Sequence, residues 1–224
     1  MNTCLIKKLD AVIGYISASR FPPPIYIELS SPASSIILIR PGGIGDAVLL
    51  ASAIHKIKKN YPKVNITILA ERRNVGVFPL IPGADVVLCY DRPSDFLRAL
   101  RGTYDIVIDS EQSHQLSAVI ARLMRAPIKI GFDTNERRRM FTHIIRYSHD
   151  DYEAASFIHL LDPLGIEAEE QERGEAFLVV PEVSSVKTSK LLESLRDQLF
   201  VTIFPGASIP ERRWGADRFR RVAE

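Results

Sequence analysis

The chain has 224 residues, 46% of them hydrophobic and 25% charged, with 29 basic against 27 acidic side chains. Those fractions exclude a disordered chain, and a polypeptide of this length buries about 70% of its unfolded surface without covalent staples. A net charge of +2 gives no reason to expect a nucleic acid partner. Cys4 and Cys89 are too far apart in sequence for a CxxC pair, which excludes a disulfide scaffold and a cysteine-ligated zinc site and fits a reducing, cytoplasmic compartment. No apolar run reaches the roughly 18 residues of a spanning helix.

At the N-terminus, Leu5, Leu9, Val12 and Ile16 fall on one helical face, with Ile6 and Ile13 beside it. The stripe predicts a helix packed on its own domain or, since Lys7 and Lys8 flank it, a helix lying on a membrane surface. Phe21-Pro22-Pro23-Pro24 stops it. Ser35–Arg40 is a continuous apolar run of strand length, as in a buried parallel strand. Pro41-Gly42-Gly43-Ile44-Gly45-Asp46 breaks it, and Ala47–Asn60 reads as a helix with Lys56, Lys58 and Lys59 toward its C-terminal end, where cations suit the dipole.

The alternation continues. Strands are predicted at Val64–Ala70, Asp85–Tyr90, Tyr104–Asp109 and Ile128–Phe132, and helices at Ser94–Leu100, Leu116–Arg125 and Glu153–Leu164, with a short helix or loop over Arg72–Leu80. Repeated β–α units of this size predict an α/β fold, a doubly wound, parallel, Rossmann-like sheet with right-handed crossovers. A further strand is expected at Ala176–Val180. The pattern then restarts: a connecting helix over Val183–Leu199, a strand at Phe200–Phe204, and a helix at Asp217–Glu224 with Phe219 and Val222 facing inward. One strand and one helix leave their apolar faces without partners. The expected organisation is therefore an N-terminal helix and Pro-rich linker (1–34), a complete Rossmann-like domain (35–182), and the first β–α unit of an incomplete second domain (183–224).

The turn after the first strand is the leading candidate site, because doubly wound sheets place ligands at the carboxyl ends of their strands. Gly42, Gly43 and Gly45 allow a sharp turn and close approach. The loop matches the dinucleotide fingerprint only partly, with Val48 in place of the third glycine and Asp46 where a pyrophosphate needs positive potential. Asp46 reads either as a helix N-cap or as a general base for a hydroxyl proton. Asp109 and Glu111 end a strand as carboxylates at i and i+2, either a weak metal-binding pair or Asp109 at a loop mouth with Glu111 contacting substrate. His143, His149 and His159 lack the spacing of a helical zinc pair and read as surface or core histidines. Arg137-Arg138-Arg139 is a solvated face or an anion contact, Arg138 being the substrate-binding candidate. Trp214 reads as packing and Cys89 as a small core hydrophobe.

Ile39–Leu49, followed by a Lys-rich helix and Tyr61-Pro62, resembles the opening of family 9 glycosyltransferases, which include the lipopolysaccharide heptosyltransferases. Tyr104–Asp109 with Ser117-Ala118 and Ile130-Gly131-Phe132 resembles their middle block. Phe204-Pro205-Gly206-Ala207-Ser208 with Arg212-Arg213-Trp214 and Phe219 resembles the start of their second domain. The resemblance implies the N-terminal, acceptor-side half of a two-domain GT-B architecture. It also implies inverting transfer of a sugar, heptose above all, from an ADP-sugar to a lipid-linked oligosaccharide of the lipopolysaccharide core, with no cofactor and with peripheral contact at the inner membrane surface.

By the resemblance, Asp46 matches the catalytic aspartate, and Ser208 and Arg212 match contacts to the donor diphosphate and sugar, with Arg where the family more often has Lys. Gly43, Gly45, Glu111 and Arg138 are the acceptor-side candidates. An inverting transfer needs a base on the acceptor hydroxyl, while the departing diphosphate is an anion that a helix N-terminus and a cation can meet. The family's nucleotide pocket lies mostly beyond the region matching residue 224, so these 224 residues are expected to be a truncated form without useful transferase activity alone. Two alternatives stand beside this reading: a non-catalytic remnant or binding module of the same fold, and an NAD-binding oxidoreductase domain.

Overall fold

The computed structural model describes residues 10, 12, 16, 20–22, 24–28, 33–166, 178–195, 198–207 and 210–224. The chain divides into two units, Met1–Val179 and Val180–Glu224.

The first unit is built on β1 (Ser35–Arg40), β2 (Asn65–Ala70), β3 (Val86–Cys89), β4 (Ile106–Asp109), β5 (Ile128–Phe132) and β6 (His143–Ile145). They form one sheet in the order β3-β2-β1-β4-β5-β6, every pairing parallel. The strands read as unbroken apolar runs because both faces are covered. Alternation divides them between two cores: Ile36, Leu38, Ile66, Ile68, Ile106 and Ile108 belong to one, and Ile37, Ile39, Leu69 and Val107 to the other. Helices α1 (Ile44–Leu49), α2 (Ala51–Asn60) and α5 (Glu153–His159) contribute to the first; α3 (Pro93–Arg101) and α4 (Gln115–Leu123) contribute to the second. The chain order reverses between β1 and β4, and the crevice above their carboxyl ends is the switch point of a doubly wound sheet.

Local departures from the expected elements have local causes. The predicted helix over 47–60 starts earlier, at Ile44, and is interrupted at Leu50, where the Ser52 hydroxyl donates to Leu49 O at 2.8 Å. The helix after β6 stops at His159 and gives way to a 3-10 turn, Asp162–Leu164, closed by Gly165 at φ 71°. Strand β6 was not expected; it is three residues at the sheet edge, too short to show a period. Of the strand expected at Ala176–Val180, the first two residues lie outside the described residues, and 178–180 are not a strand: Val179 N–H donates instead to Leu80 O at 2.7 Å. In β5, Gly131 leaves room for the Phe141 ring, which lies 2.3 Å from where a Cβ would be.

Much of the N-terminal helix expected from the apolar stripe lies outside the described residues. Residues 10, 12, 16 and 20 are helical. Asp10 is buried, and its carboxylate accepts from the N–H groups of Gln115 (3.0 Å) and Leu116 (2.9 Å) at the start of α4. Val12 and Ile16, from the stripe expected either to pack on the domain or to lie on a membrane surface, are exposed. Among the described residues no helix is long and apolar enough to cross a membrane.

The second unit contains α6 (Glu182–Leu191) and α7 (Ala216–Ala223), neither with a buried residue. The connecting helix therefore ends at Leu191 rather than Leu199. Phe200–Phe204, expected as a strand, is not one, since no described segment offers it a ladder partner. Phe219 is half-buried against Trp214 (ring centroids 5.3 Å apart), whereas Val222 is exposed, contrary to expectation.

Candidate functional site

At the end of β1 the chain must turn sharply into α1. Gly42, at φ 101°, makes the turn, and a side chain there would be strained and would meet Arg40 Nη2 at 3.2 Å. Two contacts pin the turn: Glu71, just past β2, accepts from Gly42 N–H at 2.8 Å, and the buried Asn74 Nδ2 donates to Arg40 O at 3.0 Å. Gly43 is the N-cap of α1, so Asp46 is not; it stands in the first turn of the helix.

Asp46 has a different partner. The Arg40 side chain is buried beneath the turn, with its Nη1 donating to Ser110 O (2.6 Å) and its Nη2 to Asp46 Oδ2 (3.0 Å). Its guanidinium lies 5.2 Å from the centre of the Phe157 ring. A buried guanidinium demands an anion, and Asp46 answers it while its side chain stays 44% exposed. One carboxyl oxygen is held by Arg40 while the side chain remains partly open to solvent. Arg40 was not singled out from sequence; a cation ending an otherwise apolar strand, six residues before the aspartate, was the available signal.

The opposite wall comes from β4 and the loop after it. Glu111 is buried; burial alone would raise its pKa, but bonds from the His114 ring (2.9 Å) and Ser113 N–H (3.0 Å), with the Arg40 charge, hold it down at about 2. It also accepts from His114 N–H at 3.2 Å. Glu111 thus organises the loop entering α4. Asp109, expected at a loop mouth or in a metal pair with Glu111, is fully buried and pairs with Arg137 at 2.6 Å. Burial drives its pKa upward against the opposing Arg137 charge. Of the arginine triplet, read as solvated or anion-binding, Arg137 is therefore a core residue. Arg138 is exposed, 3.9 Å from Asp133, and Arg139 is 3.6 Å from Glu136.

A third wall rises from the segment after β6. Tyr147 donates to Glu153 Oε2 at 2.9 Å, and Gln112 Nε2 donates to Glu153 Oε1. Burial, Glu153 and the Asp46 charge raise the Tyr147 pKa to about 12, so its hydroxyl stays protonated. His149 stacks edge-on against Tyr147, with ring centres 5.0 Å apart. His143 is buried beside the Tyr26 ring and Thr142, and His159 lies 3.4 Å from Asp162. Among the described residues no three His, Cys, Asp or Glu side chains converge to hold a metal ion.

The sequence of this chain matches the profile of glycosyltransferase family 9 (heptosyltransferase) over residues 94–224. The chain belongs to glycosyltransferase family 9. Lipopolysaccharide heptosyltransferase 3 of Escherichia coli is 24% identical over 141 residues, covering 55% of this chain and 41% of that protein. Two solved structures share the fold at a TM-score of 0.66. One is the family 9 glycosyltransferase of Veillonella parvula (22% identity, covering 86% of this chain and 60% of that one). The other is E. coli heptosyltransferase WaaC with ADP (12% identity, covering 84% and 61%). The chain thus spans about two fifths to three fifths of the length of these relatives.

Within the family 9 chain the sequence candidates separate. Gly43, Gly45 and Asp46 lie together at the β1–α1 turn, with Glu111 buried near enough to Arg40 to feel its charge and Arg138 exposed. Ser208 lies outside the described residues. Arg212 ends a short 3-10 turn in the second unit and is exposed; its neighbour Arg213 donates from Nε to Ala207 O at 2.8 Å. The oxidoreductase alternative meets a further obstacle. Glu71 stands at the end of β2, where a dinucleotide-binding sheet holds ribose, but it is engaged by Gly42 N–H and by Arg73 at 2.7 Å.

Proposed function

We propose that this family 9 chain carries the acceptor-activating site of an inverting glycosyl transfer. The reaction moves a sugar, heptose in the first instance, from an ADP-sugar to a lipid-linked oligosaccharide of the lipopolysaccharide core. The observation that carries the reading is Asp46, a half-exposed carboxylate held at the switch point by a buried arginine. A base must be fixed relative to the hydroxyl it deprotonates, and the Arg40 bond removes most of the rotational freedom of the Asp46 carboxyl. Asp46 accepts the acceptor proton as that oxygen bonds to the anomeric carbon, and the nucleoside diphosphate leaves from the opposite face. Arg212 and Ser208 are the proposed contacts to the leaving diphosphate. The donor choice is supported by the relatives, whose structures include WaaC with ADP and with ADP-2-deoxy-2-fluoro heptose. The exposed Val12 and Ile16 support contact with the membrane surface that carries a lipid-linked acceptor.

The test is product analysis with ADP-heptose and truncated lipid acceptors, using a longer version of the chain that includes the donor-binding half, and its Asp46→Asn variant. Asp46→Asn keeps the shape and is expected to lower turnover by about a hundredfold or more, the range of a lost general base. Unchanged turnover in the variant overturns the assignment. Absence of turnover in the unaltered longer version, with acceptor binding intact, favours the binding-module reading.

A further inference from the structure

The ladder between β1 and β2 is interrupted at the end that leads to Asp46, and a side chain takes the place of its next rung. The two strands pair in parallel from Ser35 opposite Asn65 to Arg40 opposite Ala70, and Asn65 N–H donates to Ser34 O at 2.8 Å. At the same offset, the rung after Ala70 would run from Glu71 N–H to Arg40 O. That bond is replaced by a bridge. The Asn74 carboxamide takes both groups: its Oδ1 accepts from Glu71 N–H at 2.9 Å and its Nδ2 donates to Arg40 O at 3.0 Å. A carboxamide offers an acceptor and a donor as a peptide group does, so it satisfies both strand ends while spanning two hydrogen bonds where the ladder uses one.

The bridge is anchored at its far end. Asn74 is fully buried, its N–H donates to Glu71 O at 3.0 Å, and Val77 N–H donates to Asn74 O at 3.0 Å. Val77 and Phe78 then enter the first hydrophobic core. A second bridge crosses the same gap. Glu71 Oε2 accepts from Gly42 N–H at 2.8 Å and is itself held by Arg73 Nη2 at 2.7 Å. Arg40 O and Gly42 N–H flank Pro41, which has no N–H to extend the ladder. Gly42, at φ 101°, lies close against the guanidinium, since a Cβ there would be 3.2 Å from Arg40 Nη2. Asn74 therefore fixes the backbone of the residue that bonds Asp46, and Glu71 fixes the turn that leads into the helix carrying it. Both act on Asp46 through Arg40 and the glycine turn.

We propose that Asn74 and Glu71 are positioning residues for the transfer: by bridging the ends of β1 and β2 they hold Arg40 and the glycine turn where the Arg40–Asp46 pair fixes the Asp46 carboxyl. The proposal rests on the reading of Asp46 as the base. Its first readout is nitrogen NMR of the Arg40 guanidinium in the chain itself, because a guanidinium nitrogen bonded to a carboxylate rotates and exchanges its protons slowly. Asn74→Ala and Glu71→Ala are expected to shift or broaden the Arg40 signals while the amides of β5 keep theirs. The second readout is kinetics of the longer version that includes the donor-binding half. There both variants are expected to lower kcat by about tenfold or more, the scale of a displaced catalytic group, and to leave the acceptor KM within about twofold. Glu71→Gln keeps an oxygen for Gly42 N–H and is expected to recover most of the loss. Should Asn74→Ala not fold, the Glu71 variants carry the test. Unchanged Arg40 signals in the folded variants, unchanged kcat, a loss confined to KM, or a Glu71→Gln as impaired as Glu71→Ala would each overturn the proposal. If Asp46→Asn loses turnover while Asn74→Ala and Glu71→Ala keep theirs, only the positioning role falls; if Asp46→Asn retains turnover, the base assignment falls, and the Arg40 signals still report whether the bridges hold the pair.

Discussion

Two arginines, Arg40 and Arg137, are the largest fully buried side chains among the described residues, and they are used in opposite ways. Arg40 carries its charge to a carboxylate that stays partly open to solvent; Arg137 meets a carboxylate as buried as itself. The second pair is closed to solvent, and its cost of desolvation is met only while both partners are present. Asp109→Asn leaves Arg137, whose Nε and Nη1 already lack partners, without a counter-charge. It is expected to cost about 3–5 kcal/mol in urea unfolding, whereas a double replacement by apolar residues of similar volume should cost far less. Asp46 and the glycine turn could be picked out from sequence because their types are unusual at a strand end. The burial of Asp109 and Arg137 could not, because a single sequence gives no sign that residues 28 apart in the chain will neutralise each other.

Helix α4 is held at both ends by residues outside it. Asp10, 105 residues upstream, accepts from the first N–H groups, and Lys129 Nζ donates to Met124 O (2.6 Å) and Ala126 O (2.8 Å) just beyond the last turn. Anion at the N-terminus and cation at the C-terminus both match the helix dipole. Asp10→Ala should cost about 1 kcal/mol, read as a lower urea midpoint. Lys129 adds a pH dependence. Burial lowers its pKa from 10.5 to about 8 in the folded chain. Between those values the unfolded chain binds more protons, so stability should rise with pH from about 8 to about 10.5, and below about 8 the full penalty applies. Lys129→Met should flatten that rise, measured by unfolding at stepped pH. Strands and long helices are legible here because their apolar periods are long and uninterrupted. Three-residue β6 and the cap from Asp10 are not, since one carries no period and the other depends on tertiary approach.

Across the whole molecule, the parallel order follows from the repeated β–α units, each of which lays a helix on one face of the sheet. The second unit obeys no such logic within its described residues. Val183, Val186, Leu191, Val201 and Phe204 are all exposed. Its apolar pattern is that of a strand and helices, but a pattern becomes a fold only when a partner surface covers it. Removing residues 180–224 should therefore leave the main thermal transition within a few degrees of the full chain, because no helix of that unit buries a residue. A loss of the cooperative transition on that deletion would show the first sheet to depend on it.

The bare backbone at Gly131 has a reach greater than its size. Phe141 sets the far end of its ring against it and carries the Arg137 guanidinium 5.5 Å from its ring centre. An alanine in that strand would push the ring away, and the ring would take its passenger with it. A steric insult of a single methyl would thus surface as a mispaired charge beneath β4, an electrical fault with a mechanical origin.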